Sequence, residues 1–218
     1  MRRIKVWDLP VRLFHWAIVV LIVCAWATQE WDHMRWHVWV GYTILTLLLF
    51  RLAWGFVGSD TARFARFLRS PVAGLRHLAH LHRREADREI GHNAAGGWMV
   101  LVMLALIGVQ AGTGLFANDL DDGGETEGPL MHLVDRDRSD WFGHIHALNF
   151  TLIEWVIVLH VVAIVLYAVL KRQNLVRPMV TGTKLMPTDA AAPRLVNPIW
   201  AVVVLAVAAG VVAWVVWL

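Results

Sequence analysis

Residues 141–172 read WFGHIHALNFTLIEWVIVLHVVAIVLYAVLKR, and how this stretch is read decides the fold. From 144 to 170 it is apolar apart from His144, His146, Asn149, Thr151, Glu154 and His160, and it exceeds the about 20 residues that a helix needs to cross a hydrocarbon core. On an α-helix the fourteen residues from His146 to His160 rise about 21 Å and fall about 40° short of four full turns. Both imidazoles therefore leave one face of the helix, at two depths. A buried imidazole in a bilayer is unfavourable unless it binds or pairs with something, so the two mark a functional site and invite two stacked cofactors. His144 competes with His146, but it lies about 160° around the helix from His160 and faces away from it.

The rest of the chain supplies the setting. In 218 residues, 58% are hydrophobic, 17% are charged and 13 are Trp, and the mean hydropathy is +0.54. Charged residues approach a quarter of a soluble domain, so this composition is that of an integral membrane protein. Five stretches are long enough to span: 11–29, 37–57, 93–117, 144–170 and 198–218. The basic start and Ala25-Trp26-Ala27 resemble a signal peptide with its cleavage site. A bulky Trp inside that site, with His15 and Trp16 in the apolar run, argues instead for a retained span. Trp7, Trp16, Trp36, Trp39, Trp54 and Trp141 fall near predicted interfaces, where tryptophan belts are normal. Cys24 is the only cysteine and no C-x-x-C-H occurs, so any haem is held non-covalently.

Between the spans, residues 58–92 are arginine-rich. From Ser70-Pro71 the run PVAGLRHLAHLHRR has leucines at helical spacing and reads as a helix on the membrane surface. His77 and His80 there stand at a metal-compatible spacing, but with His82 they read better as solvated or headgroup-facing. Residues 118–143 are acidic and glycine-containing, and read as loop. Loop charges set the topology. Basic and acidic residues number four and one in 1–12, seven and four in 58–92, and five and one in 171–197. The counts are one and two in 28–36, and two and eight in 118–143. Basic loops stay inside, which predicts a cytoplasmic N-terminus and an external acidic loop and C-terminus.

That topology assigns depths to the histidines. His15 lies near the cytoplasmic start of the first span, while His37 opens the second from outside. His146 lies near the external face and His160 nearer the cytoplasm. The four sort into two level pairs, His37 with His146 and His15 with His160. Two neutral imidazoles are a common axial set for haem b, and facing helices of a bundle can supply them. Arg12 and Arg51 are candidate partners of haem propionates. Positive-inside anchoring accounts equally well for Arg12, and snorkelling to the interface for Arg51.

Trp7-Asp8-Leu9-Pro10-Val11-Arg12-Leu13-Phe14-His15-Trp16, His37-x3-Gly41-Tyr42 with Arg51, Gly91-His92-Asn93 with Gly96, His146-x13-His160, and Met179-Val180-Thr181-Gly182 occur in that order. Together they resemble the bacterial cytochrome b561 family, which includes the di-haem cytochrome b subunits of nickel-iron hydrogenases and formate dehydrogenases. The resemblance covers roughly residues 5–184. It implies one haem between the first and fourth helices and another between the second and fourth. It also implies a quinone site beside the cytoplasmic-side haem, which maps onto His92, Asn93 and Gly96. Ala94 stands where the family usually has Pro, and the fifth span lies outside its four-helix core.

The expected protein is an all-α integral membrane protein, with a four-helix haem-binding bundle over 1–184, a linker over 185–197 and a fifth transmembrane helix over 198–218. It is expected in a bacterial inner membrane, N-terminus cytoplasmic and C-terminus periplasmic. There two haem b groups would carry electrons between quinone and a periplasmic partner, such as a cytochrome c or a hydrogenase or dehydrogenase subunit. No nucleic-acid partner is expected. The acidic outer loop suits either docking of a basic partner or simple solvation. Glu154, off the haem face, suits either a hydrogen bond to a neighbour such as Gln110 or proton transfer. The competing function is a non-catalytic membrane anchor or assembly subunit of a periplasmic redox complex. A histidine-using transporter is disfavoured because no inverted repeat is visible.

Overall fold

The computed structural model describes residues 1–79, 89–118 and 127–218. Along the chain run β1 (Arg2–Lys5), α1 (Leu9–Glu30), α2 (Met34–Val57), α3 (Phe64–Phe67), α4 (Pro71–Ala79), α5 (Ala94–Gly114), α6 (Arg136–Leu170), α7 (Val176–Thr181), β2 (Thr183–Met186) and α8 (Ile199–Val216). Among the described residues, α1, α2, α5, α6 and α8 are long and apolar enough to cross a membrane. These are the five spans expected from the sequence. Along its apolar run α6 exposes Leu148, Leu152, Trp155, Leu159 and Val162, an apolar face suited to lipid.

The structure differs from the sequence reading of 118–143 as a loop. Residues Met131–Leu133 form a 3-10 turn, and α6 begins at Arg136 rather than 144. Asp135 caps it, its Oδ1 accepting from Arg138 N at 2.9 Å, and Asp137 lies in the first turn, where an acid suits the helix dipole. At 35 residues α6 is about 52 Å long. That exceeds a hydrocarbon core of about 30 Å, so a polar end protrudes from the apolar run. Residues 119–126 of the acidic loop, and His80 and His82 of the surface helix, lie outside the described residues.

Two compact units divide the chain. The first comprises Met1–Phe14, Arg51–Val102 and Val156–Val202. Its organising residue is Asp8, only 3% exposed. Oδ1 accepts from Val11 N at 2.8 Å, capping α1, and Oδ2 accepts from the fully buried Trp54 Nε1 at 3.0 Å. A two-stranded antiparallel ribbon, unforeseen in the sequence, pairs β1 with β2 in the register Arg2↔Met186 to Lys5↔Thr183. Beyond it Val6 N and Trp7 N donate to Gly182 O, while Arg12 Nη1 donates to Val180 O. The two sequence motifs at either end of the resemblance thus fasten to each other.

Gly182 closes α7 with φ +78, and a Cβ there would stand 3.0 Å from Trp7 O. Gly182→Ala is expected to lower stability by about 1–2 kcal/mol from the left-handed backbone alone. The denaturation midpoint in detergent reads this loss. Residues 185–197, read as a linker, are held along the same unit. Val196 N donates to Ser59 Oγ, Asp60 N to Arg194 O, and Arg194 N to Asp60 Oδ2, each at 3.0 Å.

His15–Phe50, Met103–Trp155 and Val203–Leu218 make up the second unit. Here buried Asn149 of α6 donates through Nδ2 to Leu106 O at 2.9 Å and to Gln110 Oε1 at 2.7 Å, joining α6 to α5. Interhelical bonds of this kind replace the hydrophobic drive that lipid removes. Ser139 Oγ donates to Phe116 O at 2.9 Å, which anchors the protruding start of α6.

Candidate functional site

His37 sits in the first turn of α2, and His146 is in the third turn of α6. Their ring centroids are 6.1 Å apart with planes at 69°. An imidazole nitrogen lies about 2 Å from a metal it ligates, which puts each ring centroid about 3 Å from that metal. Two imidazoles on opposite sides of one metal atom therefore need about the separation seen. The second ring nitrogens are also committed. His37 Nδ1 is 2.9 Å from Ala25 O. His146 Nδ1 is 3.0 Å from Gln110 O and 3.3 Å from Thr113 Oγ1. A carbonyl oxygen only accepts, so each Nδ1 carries the proton and each Nε2 keeps a lone pair for a metal.

Two glycines leave the backbone open beside these rings. Gly41, one turn along α2 from His37, has nothing within 4 Å of where a Cβ would project. A Cβ at Gly114 would stand 3.0 Å from His146 Cε1, so this glycine permits close approach of the ring. Among the described residues no three His, Cys, Asp or Glu side chains gather as a metal cluster. Two imidazoles supply half of a tetrahedral zinc site, whereas with a haem iron, which brings four tetrapyrrole nitrogens of its own, His37 and His146 would be the two protein ligands needed.

His15 belongs to the second unit and His160 to the first; each is half-buried. His15 meets Trp16 edge-on at 4.9 Å. Arg51 is only 2% exposed and its guanidinium lies over the Phe64 ring at 5.1 Å, so it does not snorkel to the surface. Its Nη1 is buried without a hydrogen-bond partner among the described residues, and so is Arg12 Nε. A buried guanidinium with an unused donor fits an anionic group such as a carboxylate.

Also in the first unit, His92 packs between Trp7 and Phe67, with centroids at 4.6 and 4.7 Å. Asn93 caps α5, its Oδ1 accepting from Gly96 N at 2.7 Å, while its Nδ2 donates to Tyr167 Oη at 2.6 Å. Ala94 therefore takes the first helical position, where Pro is also well suited. His77 Nε2 lies 2.5 Å from the same Tyr167 hydroxyl, on the other side of this network. Asn93 uses an N–H on the tyrosine oxygen, so the hydroxyl hydrogen can go to His77.

Sequence reasoning missed Tyr167, Asn149, Thr113 and the bonded role of His77. Asn149 lies three residues after His146 on the same face of a span, and that spacing was the available signal. Gln110 accepts from Asn149, while Glu154 lies on an exposed face of α6.

Five helices able to cross a membrane, with two imidazoles 6.1 Å apart and each Nδ1 held by a backbone carbonyl, suit an α-helical membrane protein of the cytochrome b kind. A family model described as prokaryotic cytochrome b561 matches residues 6–182, and the chain belongs to that family. It is accordingly a membrane-embedded electron-transfer protein that binds haem b. No curated protein and no solved structure was found to match the chain.

Proposed function

We propose that this protein carries electrons between quinone in a bacterial inner membrane and a periplasmic redox protein through two haem b groups. Haem supplies a reversible one-electron couple, and the chain supplies ligation, burial and hydrogen bonds that tune it. The observation that carries the reading is the His37–His146 pair, 6.1 Å apart with both Nδ1 atoms held by carbonyls. For the second haem we assign His15 and His160, on the depth that the sequence gives each residue. The unused donors of Arg12 and Arg51 support roles as propionate partners. The loop charges support a cytoplasmic N-terminus and a periplasmic C-terminus.

Quinone chemistry moves protons with electrons, so its site needs hydrogen-bonding groups near one membrane surface. His92 and Asn93 are the proposed edge of that site, and the Asn93–Tyr167–His77 network supports a proton path from it. Tyr167→Phe is expected to slow haem reduction by added quinol about tenfold or more, the scale of a lost proton-transfer group, while leaving haem content unchanged. Stopped-flow absorbance in proteoliposomes reads both. Wild-type protein that no quinol reduces, although dithionite does, would remove the quinone part of the proposal. A haem-free anchor subunit would show no Soret absorbance at all.

A further inference from the structure

Where α6 ends, a groove is lined by Arg3 of β1, Lys171 and Arg172 just past α6, Arg177 of α7 and Lys184 of β2. All five cations belong to the first unit, and no carboxylate is among the lining residues. Lys184 Nζ donates to Glu89 O at 2.7 Å, and Lys171 Nζ lies over the Tyr167 ring at 5.4 Å. Among the described residues the charges of Arg3, Lys171, Arg172 and Arg177 have no acidic partner. Like charges gathered in one concavity repel unless an anion joins them.

The backbone adds an independent sign. Arg172 adopts φ 52, in the left-handed region that disfavours a Cβ. It terminates α6, with Gln173 N donating to Tyr167 O at 3.1 Å. Glycine is the usual residue at such a helix end. Here the chain keeps a cation there, and that cation lines the groove.

We propose that this groove binds the phosphodiester headgroup of an anionic phospholipid. Position selects a lipid over a soluble phosphate. The groove sits at the end of α6, a helix long and apolar enough to cross a membrane, and the end of such a helix is where headgroups lie. On the last turns of that helix Val165, Val169 and Leu170 are exposed, at 53%, 67% and 40%, and Leu185 of the lining is exposed at 55%. A phosphate in the groove leaves its acyl chains beside an apolar helix surface, which a free anion cannot use. The proposal is independent of the haem and quinone readings.

Native mass spectrometry of the full-length holoprotein tests it, with cardiolipin, phosphatidylglycerol or phosphatidylcholine added to detergent micelles. The expected result is retention of the two anionic lipids about tenfold or more over phosphatidylcholine. Inorganic phosphate at millimolar concentration should leave them bound. An R172G/R177Q variant should lose most of that preference, while R35Q, with one charge removed from the first turn of α2, should keep it. R172G alone relieves the left-handed arginine, so it should raise the melting temperature in lipid-free detergent while reducing the gain that cardiolipin gives. Equal retention of phosphatidylcholine, an unchanged preference in R172G/R177Q, or displacement of the lipid by inorganic phosphate would each overturn the proposal.

Discussion

Replacing His146 with leucine is expected to lower the haem content from two per chain to about one. His146 is the proposed axial partner of His37, and a leucine offers no lone pair. Its loss also removes the Nδ1 donor that Gln110 O and Thr113 Oγ1 now accept from. The haem assigned to His15 and His160 should remain, with its low-spin spectrum. His146→Gly should behave in the same way, and added imidazole should restore the missing haem by filling the vacated space. Rescue by imidazole distinguishes a lost ligand from a misfolded bundle. If His146→Leu kept both haems with unchanged spectra, His146 would not be a ligand.

This pairing was legible because membrane helices make depth readable from sequence. Once the loop charges order the spans, His37 and His146 must fall at one level, and the structure brings their rings to 6.1 Å. The apolar windows likewise gave all five spans. What stayed hidden depends on contacts distant in sequence or on polar residues that resemble loop. The first turns of α6 are polar, and only the cap from Asp135 marks them as helix. The β1–β2 ribbon joins residues more than 170 positions apart through four-residue strands too short to show a pattern. His77 read as a surface histidine because its partner, Tyr167, lies ninety residues away. Arg51 sits near a helix end, where snorkelling is the simpler reading; its burial against Phe64 depends on how α3 folds back.

Asp8→Ala is expected to cost about 3 kcal/mol. Losing the cap of α1 accounts for about 1 kcal/mol. Leaving the buried Trp54 indole N–H without its charged acceptor adds about 1.5–3 kcal/mol. Trp54 is fully buried, so water cannot replace the carboxylate. Asp8→Asn should fall between wild type and Asp8→Ala. Its remaining carbonyl can still cap Val11 N, but its amide cannot accept from Trp54 as well. Denaturation of the detergent-solubilised protein reads these losses. Combining Asp8→Ala with Trp54→Phe should cost clearly less than the sum of the two single changes, because the second removes the group the first leaves unpaired. Strict additivity would mean that the Asp8–Trp54 bond contributes nothing.

Much of the first unit converges on this bond. Asp8 fixes the start of α1, Thr61 Oγ1 donates to Val6 O at 2.7 Å, and the β-ribbon with Gly182 holds the N-terminal strand. Arg12, donating to Val180 O, is positioned by the same fastening. A change at Asp8 is therefore expected to disturb Arg12 as well.

The haem content of the purified chain tests the central claim most directly. A pyridine haemochrome assay set against protein concentration, with the low-temperature electron paramagnetic resonance spectrum of the same sample, counts the haems and reports their axial ligands. The account predicts two haem b per chain, both low-spin with two imidazole ligands. A folded, membrane-integrated chain carrying no haem, or haem in a high-spin five-coordinate state alone, would contradict it.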